Sequence, residues 1–290
     1  MPVSSATAQL EKLLVCTDDS PDSQGAVTLA LALARAARSQ VYLLQVLTLV
    51  PGYELHSPDL LPPLPQLDQE LMAAREAAVR QNLETWKTRA GEQGVALEVL
   101  VRAAVSPYAG ILEEAEALQP DLIVMGRHGA TGLTRLLMGS VTARVIGHSP
   151  VNVLVVPPAA ARQTFKRVFL AHDGSQYSAA AWEEALRLAA YFGAALIVAT
   201  VAPDREADEA LEITRTLRAR AEQRGLTLDT MVLRGRPDEA IVSAARFKEA
   251  DLIILGSHGR TGLKRLLMGS VAERVIGQAP CPVLVVKQGR

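Results

Sequence analysis

The chain has 290 residues, of which 30 are Lys or Arg and 31 are Asp or Glu, giving a formal net charge of −1. Such a balance is not built for bulk electrostatic binding to nucleic acid or an anionic membrane, and 49% hydrophobic with 21% charged residues is globular rather than disordered composition. Two cysteines, Cys16 and Cys281, supply neither a disulfide framework nor a cysteine-rich zinc site, which fits a reducing cytoplasm.

The opening Met1-Pro2-Val3-Ser4-Ser5 has neither the basic flank nor the apolar run of an export signal. A long uncharged stretch, 16 residues between Arg187 and Asp204, is shorter than the roughly 20 residues that span a bilayer. A soluble chain is expected. Lys12 to Thr17 reads as a buried strand, after which Ser20 offers a helix N-cap with Pro21 at the first helical position. Ala26, Leu29, Ala30, Leu33 and Ala37 then recur at helical spacing. Val41 to Leu47 is a second strand, Leu67 to Gln93 a long helix and Val95 to Val101 a third strand. A helix from Ser106 to Leu118, a strand from Asp121 to Gly126, a helix from Ser140 to Gly147 and a strand from Val151 to Val156 complete the first half. The same order restarts from Val168, with further strands near Leu196, Leu226, Leu252 and Val283.

That restart is an internal repeat. Gly126 to Val156 aligns with Gly256 to Val286 at a constant offset of 130, with 22 of 31 positions identical. Leu13 to Ser23 resembles Val168 to Ser178 at an offset of 155, so the first half carries about 25 extra residues. They fall around positions 49–67, where five of the sixteen prolines crowd into a stretch that includes Leu60-Leu61-Pro62-Pro63-Leu64-Pro65. The plain reading is a proline-stiffened surface loop, and the sharper one a lid or dimer arm. Two domains are expected, 1–158 and 163–290, joined by the Pro- and Ala-rich segment from Pro157 to Arg162. Near-continuous apolar strands alternating with helices imply an α/β class in which each domain has a five-stranded, mainly parallel sheet with helices on both faces. Ligands on such sheets bind outside the strand carboxyl ends, where strand order reverses.

The best-retained part of the repeat is Gly126-x2-Gly129-x9-Gly139-Ser140, matched by Gly256-x2-Gly259-x9-Gly269-Ser270. It follows a buried strand and opens a helix. The first glycine is expected to let the chain turn at the strand end, and the others to let a polyanion reach main-chain N–H groups. A helix start offers unpaired N–H groups and a favourable dipole to phosphate. His128 and His258 inside the loop read as bracing residues or phosphate-side donors, and Arg135 and Arg265 as solvated or subunit-facing. No histidine spacing suits a metal, and no Walker lysine motif, nucleophile elbow or kinase signature occurs. Nothing offers an obvious water-activating base, so nucleotide binding is expected ahead of hydrolysis.

On these residues, together with Asp18 and Asp173 after the first strands and the closing Pro282-Val283-Leu284-Val285-Val286, the chain resembles the universal stress protein family in its tandem form. The resemblance covers nearly everything from Leu10 to Lys287 except the proline-rich insertion. It implies Rossmann-like domains of the adenine nucleotide alpha hydrolase type and an ATP ligand, with any Mg²⁺ held by its phosphates. By resemblance Asp18 and Asp173 hold ribose, and Val46 and Val201 offer backbone groups to adenine. Gly126, Gly129, Gly139, Ser140 and Val141 form the first phosphate site, and Gly256, Gly259, Gly269, Ser270 and Val271 the second. It also implies that the last strands of the two halves pair antiparallel, and a homodimer of the tandem chain is compatible with it. The first half departs from the family pattern at Asp19, where Gly is usual, and at Arg127, where Ser is usual. Arg127 is expected to offset Asp19 or to reach a phosphate, and the second site to be the tighter. The function implied is a stress-response nucleotide sensor; the alternatives are a slow ATPase or phosphotransferase and a scaffold with vestigial sites.

Overall fold

The structure, a computed structural model, describes residues 10–48, 66–129, 138–158, 164–202, 207–260 and 268–288. The proline-rich insertion, Arg135 and Arg265 lie outside the described residues. The first half runs β1 (Lys12–Cys16), α1 (Pro21–Ala37), β2 (Gln40–Thr48), α2 (Gln66–Glu92), β3 (Leu97–Ala104), α3 (Pro107–Leu118), β4 (Leu122–Gly126), α4 (Ser140–His148) and β5 (Asn152–Val156). The second runs β6 (Arg167–Ala171), α5 (Gln176–Phe192), β7 (Ala195–Ala202), α6 (Ala207–Gln223), β8 (Leu228–Arg234), α7 (Pro237–Phe247), β9 (Leu252–Gly256), α8 (Ser270–Gln278) and β10 (Val283–Val286).

The strands form one ten-stranded sheet in the order β3-β2-β1-β4-β5-β10-β9-β6-β7-β8. Within each half all pairings are parallel. The halves meet where β5 and β10 run antiparallel, with Val153 opposite Val285, Leu154 opposite Leu284 and Val155 opposite Val283. All six side chains are 2% exposed or less. Fully burying each is worth about 1.5–3 kcal/mol, and an unpaired apolar edge invites unwanted association. The internal pairing expected of a tandem chain is what the molecule adopts.

Local chemistry sets the ends of the elements that frame the clefts. Ser20 and Ser175 cap α1 and α5, their side-chain oxygens accepting from Ser23 N and Ser178 N. Alternate side chains of each strand feed two apolar layers. One lies under α1, α2, α5 and α6, the other under α3, α4, α7 and α8, and each runs through both halves. Rigid packing on both faces leaves the carboxyl ends of the strands as the open rim.

Candidate functional site

At that rim, β6 gives way to His172, Asp173 and Gly174, the last in the left-handed region at φ 81°. The Asp173 carboxylate accepts from Ser175 N at 3.0 Å and from Arg260 N at 3.0 Å. Burial pushes its pKa up, but hydrogen bonds from Ser175, Ser178 and Arg260 outweigh burial and hold it below the ordinary value. It is therefore an anion at neutral pH. Asp18 sits equivalently, accepting from Ser20 N at 3.1 Å and Ser20 Oγ at 2.6 Å.

The motif glycines are needed for close approach, not for turning. None of the six has a positive φ. A Cβ on Gly126 would lie 2.9 Å from the Asp22 carbonyl carbon, and one on Gly256 would lie 2.7 Å from Tyr177 Cβ, so these two let the strand end press on α1 and α5. A Cβ on Gly129 would lie 2.7 Å from Asp18 Oδ2, and one on Gly259 would lie 2.8 Å from Asp173 Oδ2. The sharp turn expected at the first glycine is thus corrected. Gly139 and Gly269, rather than the serines, are the N-caps, at φ −62° and −68°. Ser140 and Ser270 are first in their helices, Val141 and Val271 second, positions whose N–H groups have no partner within the helix.

In the second half Asp173, Val201, Gly256, Gly259, Gly269, Ser270 and Val271 all line one cleft, with about 780 Å³ of empty space counting the open solvent at its mouth. Ala199 and Ile241 make its apolar wall. In the first half Val46 lies beside β3 and packs against Gly110, where a Cβ would be 2.8 Å from Val46 Cγ1.

Around these matching frames the halves diverge. Asp19 adopts the left-handed conformation (φ 63°) that glycine supplies at position 174. His128 donates its backbone N–H to Asp22 Oδ2 at 3.2 Å, and its Nδ1 lies 3.0 Å from the same oxygen, so it braces the loop against α1. The equivalent His258 instead packs on Tyr177, ring centroids 5.1 Å apart. Arg260 reaches from the loop to Glu209 of α6 at 2.6 Å and also donates to the Asp173 carbonyl.

Arg127 has partners that the sequence did not suggest. Its guanidinium donates to the carbonyls of Ile276, Gly277 and Ala279 at 3.2, 3.0 and 3.2 Å, across the junction at the carboxyl end of α8. The carboxylate it feels is that of Asp22, which opposes the effect of burial. A helix C-terminus carries unpaired carbonyls and partial negative charge, which attract a cation. Lys287 does the reciprocal work, donating from Nζ to Ile146 O at 2.6 Å and Gly147 O at 3.4 Å at the end of α4. Burial pulls the pKa of both cations down. His172 and Arg260 were not singled out in the sequence. Comparing the halves column by column would have exposed His172, since Thr17 stands in its place.

The fold and cleft define a tandem α/β protein whose two doubly wound halves open at their strand carboxyl ends. The sequence pattern of the Universal stress protein family matches residues 9–157 and 164–287, and the chain belongs to that family. A universal stress protein of Methanocaldococcus jannaschii is 38% identical over 141 residues, covering 43% of this chain and 83% of that protein. Universal stress protein E of Salmonella typhi is 24% identical over 311 residues, covering 97% of this chain and 95% of that one. The crystal structure of a universal stress protein from Archaeoglobus fulgidus superposes with a TM-score of 0.77 at 24% identity, covering 97% of this chain and all of that one, a likeness of fold.

Proposed function

We propose that this universal stress protein binds adenine nucleotide, ATP foremost, in both halves and acts as a sensor whose occupancy alters its shape or association. One observation carries the reading. The carboxylate, the strand end and the helix start that the motif would use converge on a single cleft in the second half. Phosphates would meet the N–H groups at the start of α8, favoured by the helix dipole. Ribose would lie on Asp173 and adenine against the backbone near Val201, and Mg²⁺ would ride on the phosphates. In the first half Asp18, Val46, Gly126, Gly129, Gly139, Ser140 and Val141 take the same roles. That site is the weaker, because Asp19 and Asp22 stand near it while Arg127 is committed to the junction. The domains are assigned to 1–158 and 163–290, and the chain to the cytoplasm; light scattering would test its assembly as a homodimer.

Mass spectrometry of whatever the purified protein releases on denaturation tests the reading. Recovered ATP supports a binder and recovered ADP a slow ATPase. An empty protein with no ATP affinity in titration refutes nucleotide binding and leaves a scaffold.

A further inference from the structure

Beside Asp173, the second cleft has a wall residue that the first lacks. His172 follows β6, is 8% exposed and donates its backbone N–H to Ala199 O at 2.9 Å, which continues the ladder to the rim. It lines the cleft together with Asp173. Its Nδ1 accepts from Gly174 N at 3.1 Å. An amide can only donate, so Nδ1 carries the lone pair and the ring proton sits on Nε2. Among the described residues nothing accepts from Nε2. Burial first, then the charges of Arg220 and Arg260, hold the imidazole pKa down to about 4 against the pull of Asp173, so this single tautomer persists at neutral pH.

The first half makes no such offer. Thr17 stands at the equivalent position, and its hydroxyl oxygen is turned inward, accepting from Asp19 N at 3.1 Å and bonding Ser23 Oγ at 3.1 Å. The second cleft therefore sets an N–H donor next to a carboxylate acceptor. A vicinal diol complements that pair, because its hydroxyls can donate their hydrogens to the carboxylate while one hydroxyl oxygen accepts the single imidazole N–H.

We propose that His172 is a specificity-determining residue of the second cleft, donating from Nε2 to a ribose hydroxyl oxygen beside Asp173, so that this cleft selects ribonucleotides over deoxyribonucleotides more strongly than the first. The assignment rests on the nucleotide reading above and adds the selecting group. A polar site discriminates because an analogue lacking the hydroxyl leaves a desolvated donor unpaired.

The test uses the full chain carrying Gly139→Val, so that the second cleft alone reports, with and without His172→Thr. Thr is the residue the first half folds with at this position. ATP, 2′-deoxy-ATP and 3′-deoxy-ATP are titrated calorimetrically against each. With His172 present, ATP should bind tighter than at least one deoxy analogue. His172→Thr should shrink that ratio about 2- to 10-fold, the span of one neutral hydrogen bond. In ¹⁵N spectra, ATP should shift the His172 Nε2 resonance and the same deoxy analogue should not. Equal losses for all three nucleotides, or an unchanged ratio, overturn the assignment while leaving nucleotide binding intact. An unmodified chain that binds no ATP overturns the nucleotide reading, and this assignment with it.

Discussion

Replacing Arg127 by Ser, the residue the second half carries at position 257, tests how the halves are held together. The guanidinium donates to three carbonyls in the last turn and at the C-cap of α8, the nearest at 3.0 Å. A cation at a partly buried helix C-terminus is worth up to about 2 kcal/mol. A hydrogen bond to a charged group is worth about 1.5–3 kcal/mol. These describe one contact and are not added. Stranding the carbonyls makes the loss larger, while freeing a half-buried cation whose Nε has no partner among the described residues makes it smaller. The net expectation is a loss of about 2–3 kcal/mol. Urea unfolding followed by both far-ultraviolet circular dichroism and tryptophan fluorescence reads it. Trp86 lies in α2 and Trp182 in α5, so the probes sample both halves. A weakened junction should lower the midpoint and separate the two transitions. A midpoint shift equivalent to less than about 0.5 kcal/mol, with coincident curves, would refute the capping role.

Gly269→Val should weaken ATP binding in the second half about tenfold to a hundredfold by calorimetry, since even a Cβ there lies 3.3 Å from His258 Cα and a branched side chain must push the helix start away. Gly139→Val should do the same in the first half, with only the double variant losing binding altogether; retention of the tight phase in Gly269→Val would contradict the phosphate assignment. Asp19→Gly, measured with Gly269→Val present, should tighten the first site by roughly two- to fivefold, about 0.5–1 kcal/mol of removed repulsion, at little cost in stability because position 19 already has a left-handed φ of 63°. His172 should make stability fall on acidification. Its folded pKa of about 4 lies below the unfolded 6.5, so the unfolded chain binds more protons between these values and stability drops as pH falls through that window, by about 3 kcal/mol at most. His172→Thr should flatten this slope in pH-dependent denaturation, and an unchanged slope would contradict the buried neutral ring.

Much of the fold was legible because the duplication wrote it twice. The strand around Val151 to Val156 and its copy around Val283 to Val286 are too apolar to sit at free edges, and they pair with each other. Ser20 followed by Pro21 marked the start of α1 because capping acts within one turn. What sequence could not show was contact across about 150 positions. Arg127 stood out as an oddity, but only the folded sheet brings it to Ile276, Gly277 and Ala279. The turn expected at Gly126 and Gly256 fails for the same cause, both positions answering to close contacts instead. Their neighbours, Asp22 and Tyr177, come from the opposite end of each half. His172 escaped notice because an isolated histidine after a strand carries no local signature.

The junction also gives a physical reason for the two sites to differ. Two identical chains meeting through their last strands would present the same residue to each other on both sides. In one covalent chain that constraint is absent. Here α8 is held by Arg127 from the end of β4, whereas α4 is held by Lys287 from the end of β10. The repeat equivalents of these cations are Ser257 and Pro157, neither of which could do the work. Each helix so gripped at its carboxyl end begins at a glycine N-cap of the repeated motif. Arg127 therefore holds α8 of the second half, while its own backbone bonds to Val156 and Gly139 anchor it in the first. The first cleft keeps Asp19 and Asp22, and the second gains Arg260 and His172. The surroundings of the two halves thus differ through how they are joined as well as through the residues at each strand rim.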